Sequence, residues 1–138
     1  MLFRSGCTSG ALAKGVLDGE ATGVFQGKVI VAPHAQKSDA KQMSNALLLS
    51  RDAAMNAKPE LEIYADDVQC AHGSTIGELD GDALFYLRSR GIEEQTARQM
   101  LISAFLGDVL EQISHEVARD ALTERATQWF EVKSEGEA

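Results

Sequence analysis

The chain has 138 residues, a single-domain length, and its 44% hydrophobic and 25% charged residues are the balance of a globular protein rather than a disordered one. A net charge of −8 excludes a general nucleic-acid or anionic-membrane surface, which needs a basic patch. Two cysteines make no disulfide framework, and no apolar run approaches the roughly 18 residues of a membrane span, so the expected setting is the reducing cytoplasm with free thiols.

The opening "MLFRSGCTSG" lacks the apolar stretch of a signal peptide. Residues 23–32, "GVFQGKVIVA", predict a strand, a turn and a second strand, with Val29 and Val31 on one face and Lys28 and Ile30 on the other. A loop or polar connection follows over 32–42. "NALLLS" (45–50) is short enough to favour a buried strand over a helix. "KPELEIYADD" (58–67) alternates, with Leu61, Ile63 and Ala65 on one face and Glu60, Glu62 and Tyr64 on the other. "VQCAHGSTIG" (68–77) continues the pattern and puts Val68, Cys70 and His72 on a common face. These strands lack a two-residue hairpin signal and a crossover helix. Stacked solenoid coils or a small sandwich both satisfy that pattern.

The chain changes character near Asp80. A short helix is expected over 80–91, capped by Asp80 or Asp82 and stopped by Gly91. The next, over 93–113, opens on Glu93 and Glu94, which suit the positive end of the helix dipole. It carries two apolar stripes, Ala97-Leu101-Phe105-Val109-Ile113 and Ile102-Leu106-Leu110, and so is buried on more than one side. Ser114 is the expected break and cap before a last amphipathic helix from about His115 to Phe130, followed by a fraying tail over 132–138.

Cys70 and His72 are the chemically informative pair. At i and i+2 of a strand, a thiol and an imidazole point the same way and suit zinc or iron–sulfur chemistry alike. Two ligands do not close a metal site, for which four are usual, so a metal at His72 and Cys70 needs ligands from a partner. The alternative is a cysteine packed as a small hydrophobe beside a hydrogen-bonded histidine. Asp66 and Asp67 either orient His72 or occupy a turn. "GVFQGKV" is not a phosphate loop, because its spacing is wrong and no hydroxyl follows Lys28. His34 and His115 stand alone and read as surface residues.

The ordered segments "GVFQGKVIV", "AQKSDAKQ", "LLLS", "KPELEIYADDVQCAHGSTIGELD" and "LFYLRSRGI" resemble the SufB/SufD family of iron–sulfur cluster assembly scaffolds. The likeness is to the C-terminal part of its SufD branch and covers about residues 14–113. The Cys-x-His-Gly form favours SufD, since the sister branch typically has His-Glu-Ala at that point. The resemblance implies a β protein with α segments: truncated coils of a right-handed parallel β-helix over 14–80, then a helical segment over 81–131. Residues 1–13 match nothing and are expected to be a disordered start, so Cys7 carries no role. "QMSNALLLS" lacks one asparagine of the family pattern, and the chain looks like a fragment of a longer protein.

The resemblance also implies a non-catalytic role with no stably bound cofactor. A transient iron–sulfur cluster would form at the interface with a SufB-like scaffold, with His72, and perhaps its neighbour Cys70, at that interface. The helical segment would dock a SufC-type ABC ATPase, through a surface expected to include Phe85, Tyr86, Arg88, Arg90, Leu101 and Phe105. Two other readings remain open: a small metal-binding protein using Cys70 and His72 directly, and a self-associating module whose open coil stacks into a homodimer.

Overall fold

The computed structural model describes residues 2–3 and 5–136. Strands β1 (Leu2–Phe3), β2 (Thr8–Leu17), β3 (Thr22–Val31), β4 (Asp39–Leu48), β5 (Ala54–Ile63) and β6 (Gln69–Glu78) precede helices α1 (Gly81–Ser89), α2 (Glu94–Leu110) and α3 (Glu116–Gly136). The chain divides into two compact units, Met1–Glu78 and Leu79–Ala138.

In the first unit the strands alternate between two parallel sheets, ordered β1-β3-β5 and β2-β4-β6. Thr8 stands beside Asp39 and Asp39 beside Gln69 in one sheet, while Thr22 stands beside Ala54 in the other. Strand alternation then sorts the side chains. Val29 and Val31 are 2% and 0% exposed and pack with Ala35, Ala40 and Ala65. Cys7, Ala32, Leu61, Val68 and Cys70 lean on that cluster, whereas Lys28 turns outward to pair with Glu62.

The turns preceding the strands are tied across successive levels. The Gly6 N–H donates to Gln36 O at 2.8 Å, the Asp39 N–H to Cys7 O at 2.9 Å and the Gln69 N–H to Ser38 O at 2.9 Å. Lys37 takes a left-handed φ of 59°, unusual for a residue with a side chain. Its N–H donates to Asp67 O at 2.6 Å, and its ammonium pairs with the Asp67 carboxylate at 2.6 Å.

Several boundaries differ from the sequence expectation. Residues 22–31 form one continuous strand rather than two around a turn, because Gly27 is accommodated within β3. β4 begins at Asp39, six residues before the apolar run at 45, since Gln42 and Ser44 face inward with Ala40 and Ala46. Residues 8–13 were expected to be disordered; instead they belong to β2, paired in register with β4 from Thr8 to Leu17. Met1 and Arg4 of that expected start lie outside the described residues.

The second unit follows its capping signals. Asp80 accepts from the Asp82 and Ala83 N–H groups at 2.9 and 3.1 Å, and Gly91 ends α1 with φ 84°. Glu93 caps α2 by accepting from the Thr96 N–H at 3.0 Å. Ala97 and Ile102 are buried, and Leu101, Phe105 and Leu106 are half-buried, so both stripes of α2 are covered in part. At α3 the cap is His115 rather than Ser114: its ring Nδ1 accepts from the Ala118 N–H at 3.3 Å. The helix continues to Gly136, past the expected fraying point at 132, and Glu137 and Ala138 lie outside the described residues.

Candidate functional site

β6 is the outer strand of its sheet and places both candidate residues. Cys70 stands in register with Ala40, and His72 with Gln42. The two share the inward face, but their surroundings differ. Cys70 is half-buried against Val29, Val31 and Ala40 and behaves as a small hydrophobe. His72 is exposed, because β6 has no neighbour on its other side among the described strands. The imidazole is therefore available to an incoming group, while the thiol is largely committed to packing.

Neither carboxylate upstream turns to the histidine by a described bond. Asp67 pairs with Lys37, and its N–H donates to Gln36 Oε1 at 2.9 Å. The hydrogen bond to Asp67 raises the Lys37 ammonium above its ordinary pKa. That is the turn role of the two readings. Among the described residues no three His, Cys, Asp or Glu side chains gather as a metal site. An open cleft along Ser74 and Ile76 of β6 is lined across by Val24, Gln26, Met55 and Ala57, and His72 is not in its lining.

The six helical residues expected to meet a partner separate into three kinds. Phe85 and Tyr86 are 74% and 55% exposed, an uncovered aromatic pair. Both arginines are held locally: Arg88 pairs with Glu94 at 3.1 Å, and Arg90 donates to the Tyr86 hydroxyl at 2.7 Å with its guanidinium 4.8 Å from the ring centroid. Leu101 and Phe105 are half-buried on α2.

Sequence reading missed Gln42. It lies inside the first unit, 4% exposed, with its amide over Gly27 of the facing sheet. The available signal was the glycine in the middle of a strand, which marks a close approach as often as a turn.

The chain matches the family described as SUF system FeS cluster assembly, SufBD core domain, over residues 2–105. It belongs to the SufBD family. The match begins at residue 2, so the start expected to be unrelated lies within the family domain together with β2. The chain is 43% identical over 122 residues to the iron–sulfur cluster assembly protein SufD of Escherichia coli (strain K12), covering 88% of this chain and 29% of that protein. It is 50% identical over 102 residues to an iron–sulfur cluster assembly SufBD family protein of Synechocystis, covering 74% of this chain and 22% of the relative. Bacillus subtilis SufD is 35% identical over 111 residues, with 80% and 25% covered. The chain thus spans less than a third of the length of these family members.

Proposed function

We propose that this chain is part of a non-catalytic scaffold for iron–sulfur cluster assembly in the SUF system. The observation that carries the reading is the SufBD core match over residues 2–105 combined with an exposed His72 on an outer strand of the matched domain. In this reading the two parallel sheets are coils of a right-handed parallel β-helix. Two features support that geometry: strict alternation of strands between sheets, and a return to the same position after roughly thirty residues, within the usual span of stacked repeats.

The mechanism is presentation rather than bond-making by this chain. His72 offers an imidazole at the edge of β6, and a SufB-like scaffold supplies the remaining ligands for a transient cluster. Cys70 contributes mainly by holding β6 against the core. The helical unit binds a SufC-type ATPase, with the exposed Phe85 and Tyr86 as anchors, since aromatic side chains concentrate binding energy at interfaces. A chain that held metal alone would need further ligands, and only two are offered in this strand.

Co-purification tests the partner assignment. The intact chain should retain a SufC-type ATPase, and Phe85→Glu with Tyr86→Glu should release it. No retention by a chain whose helices are intact by circular dichroism contradicts the assignment. Size-exclusion chromatography in the same preparation separates the homodimer alternative, which predicts a stacked pair without any partner.

A further inference from the structure

The side chains of β6 are covered at few points. Cys70 and Gly73 are half-buried, and the other residues of the strand are exposed. Cys70 leans inward on the cluster of Val29, Val31, Ala35, Ala40 and Ala65. Gly73, three residues on, presents the opposite face of the strand. There it is covered by the side chain of Met43, its register partner on β4. A Cβ on Gly73 would come within 2.7 Å of the Met43 Sδ and 2.9 Å of its Cε, so the thioether lies where a side chain would stand. A glycine inside a strand marks such a close approach. His72 sits between the two covered points, immediately before Gly73.

The outer cover is open to chemistry, because Met43 is 40% exposed. A thioether is apolar, flexible and polarizable, whereas its sulfoxide is polar and disrupts the packing that the thioether made. A hydroperoxide is the one co-reactant needed. With hydrogen peroxide, a lone pair on Sδ bonds to one peroxide oxygen, the O–O bond breaks, and the other oxygen leaves as water. The sulfur is oxidised and the peroxide is reduced.

We propose that Met43 is a peroxide-sensitive brace on the strand that carries His72: oxidation to the sulfoxide withdraws the side chain from Gly73 and loosens β6 around the histidine. The consequence for cluster assembly rests on the reading of His72 as the assembly residue, whereas the brace and its release are properties of this chain alone. β6 keeps its ladder to β4, so the change is a local opening, and reduction of the sulfoxide reverses it.

The test treats the full 138-residue chain with hydrogen peroxide. Peptide masses show which methionines gain oxygen, and amide exchange is followed at residues 71–75. Met100, 47% exposed on α2, is the internal reference for dose. Met43 should be oxidised alongside Met100, and exchange at residues 71–75 should rise roughly fivefold or more, the factor of a small local free-energy change. Repair by methionine sulfoxide reductases of both epimer specificities should restore slow exchange, which separates the effect from overoxidation of Cys7 and Cys70. Met43→Leu keeps an apolar side chain of similar size at this point. In that chain the same treatment should leave exchange at residues 71–75 unchanged, although the cysteines and the other methionines still react.

A Met43 that stays reduced while Met100 is oxidised overturns the proposal. So does an oxidised Met43 with unchanged exchange at residues 71–75, and neither result needs a variant to fold. An equal rise in the peroxide-treated Met43→Leu chain overturns it as well. A loosened β6 beside normal cluster maturation in cells carrying His72→Ala supports the brace and removes only the assembly reading.

Discussion

Gly27 of β3 faces the side-chain amide of Gln42 on β4 so closely that a Cβ on the glycine would come within 2.2 Å of Nε2 and 2.6 Å of Cδ. The two sheets are thus fitted to each other at this point by a large polar residue and a glycine. Gly27→Ala should destabilise the first unit by about 1–2 kcal/mol, the usual result of overpacking. The atoms in the way end a flexible side chain, so the penalty should shrink when Gln42 is first changed to Ala. Urea unfolding of the four chains of this double-mutant cycle checks it. Equal penalties in both backgrounds would show that Gln42 is not what Gly27 accommodates.

Cys70 should behave as packing. It is half-buried against Val29, Val31 and Ala40. Cys70→Ala should lower stability by roughly 1 kcal/mol, the scale of a small buried deletion. The same substitution in the full-length protein should leave iron–sulfur maturation close to normal once the loss in abundance is corrected. A maturation defect as deep as that of a His72 variant would return the thiol to the site.

The helical unit depends on its caps. Asp80 receives two backbone N–H groups, so Asp80→Ala should cost about 1 kcal/mol. Gly91 sits at φ 84°, where an alanine pays the left-handed penalty of about 1–2 kcal/mol. Helical signal at 222 nm during thermal unfolding measures both. A Gly91→Ala chain that melts with the unsubstituted one would mean that α1 ends without needing this conformation.

Acid should loosen the start of α2. The backbone N–H groups of Gln95 and Thr96 hold the Glu93 carboxyl below its ordinary pKa. A carboxylate with a depressed folded-state value stabilises fully above its unfolded value, about 4.3, and loses that contribution as pH falls through the folded value. Glu93→Gln should therefore flatten the dependence of α2 helicity on pH below about 4.5, with little effect at pH 7 beyond the weaker cap. Amide exchange at Thr96 and Ala97 across that range is the measurement. Identical acid profiles in the two chains would contradict the cap assignment.

Much of the first unit was legible because strand side chains alternate. Val29 with Val31, and Leu61 with Cys70, could be placed on the inward side from period two alone. Parallel pairing is legible only through the family resemblance and not from the residues' own pattern, since it joins residues about thirty positions apart and leaves no local mark. Residues 8–13 are expected to be structureless only because they lie outside the segments that carry the family resemblance; Thr8, Ser9 and Gly10 are held in β2 by Asp39, Ala40 and Lys41 beside them, pairing that leaves no local mark. The turn expected within 23–32 is absent, and Gly27 shows why: a glycine signals a bend and a close approach equally well. The helices were more readable, their ends being written in Asp80, Gly91 and Glu93. At the site, strand spacing pairs Cys70 with His72 and the family resemblance favours His72 over Cys70; their difference in burial is not legible, because it depends on what lies beside β6 and not on β6 itself.

The central claim is that His72, exposed at the edge of β6, is the working residue of this scaffold. Iron–sulfur maturation in cells that depend on the full-length protein tests it most directly, comparing His72→Ala with Cys70→Ala at matched protein levels. The account predicts a clear maturation loss with His72→Ala and near-normal maturation with Cys70→Ala. Unchanged maturation with His72→Ala would contradict it.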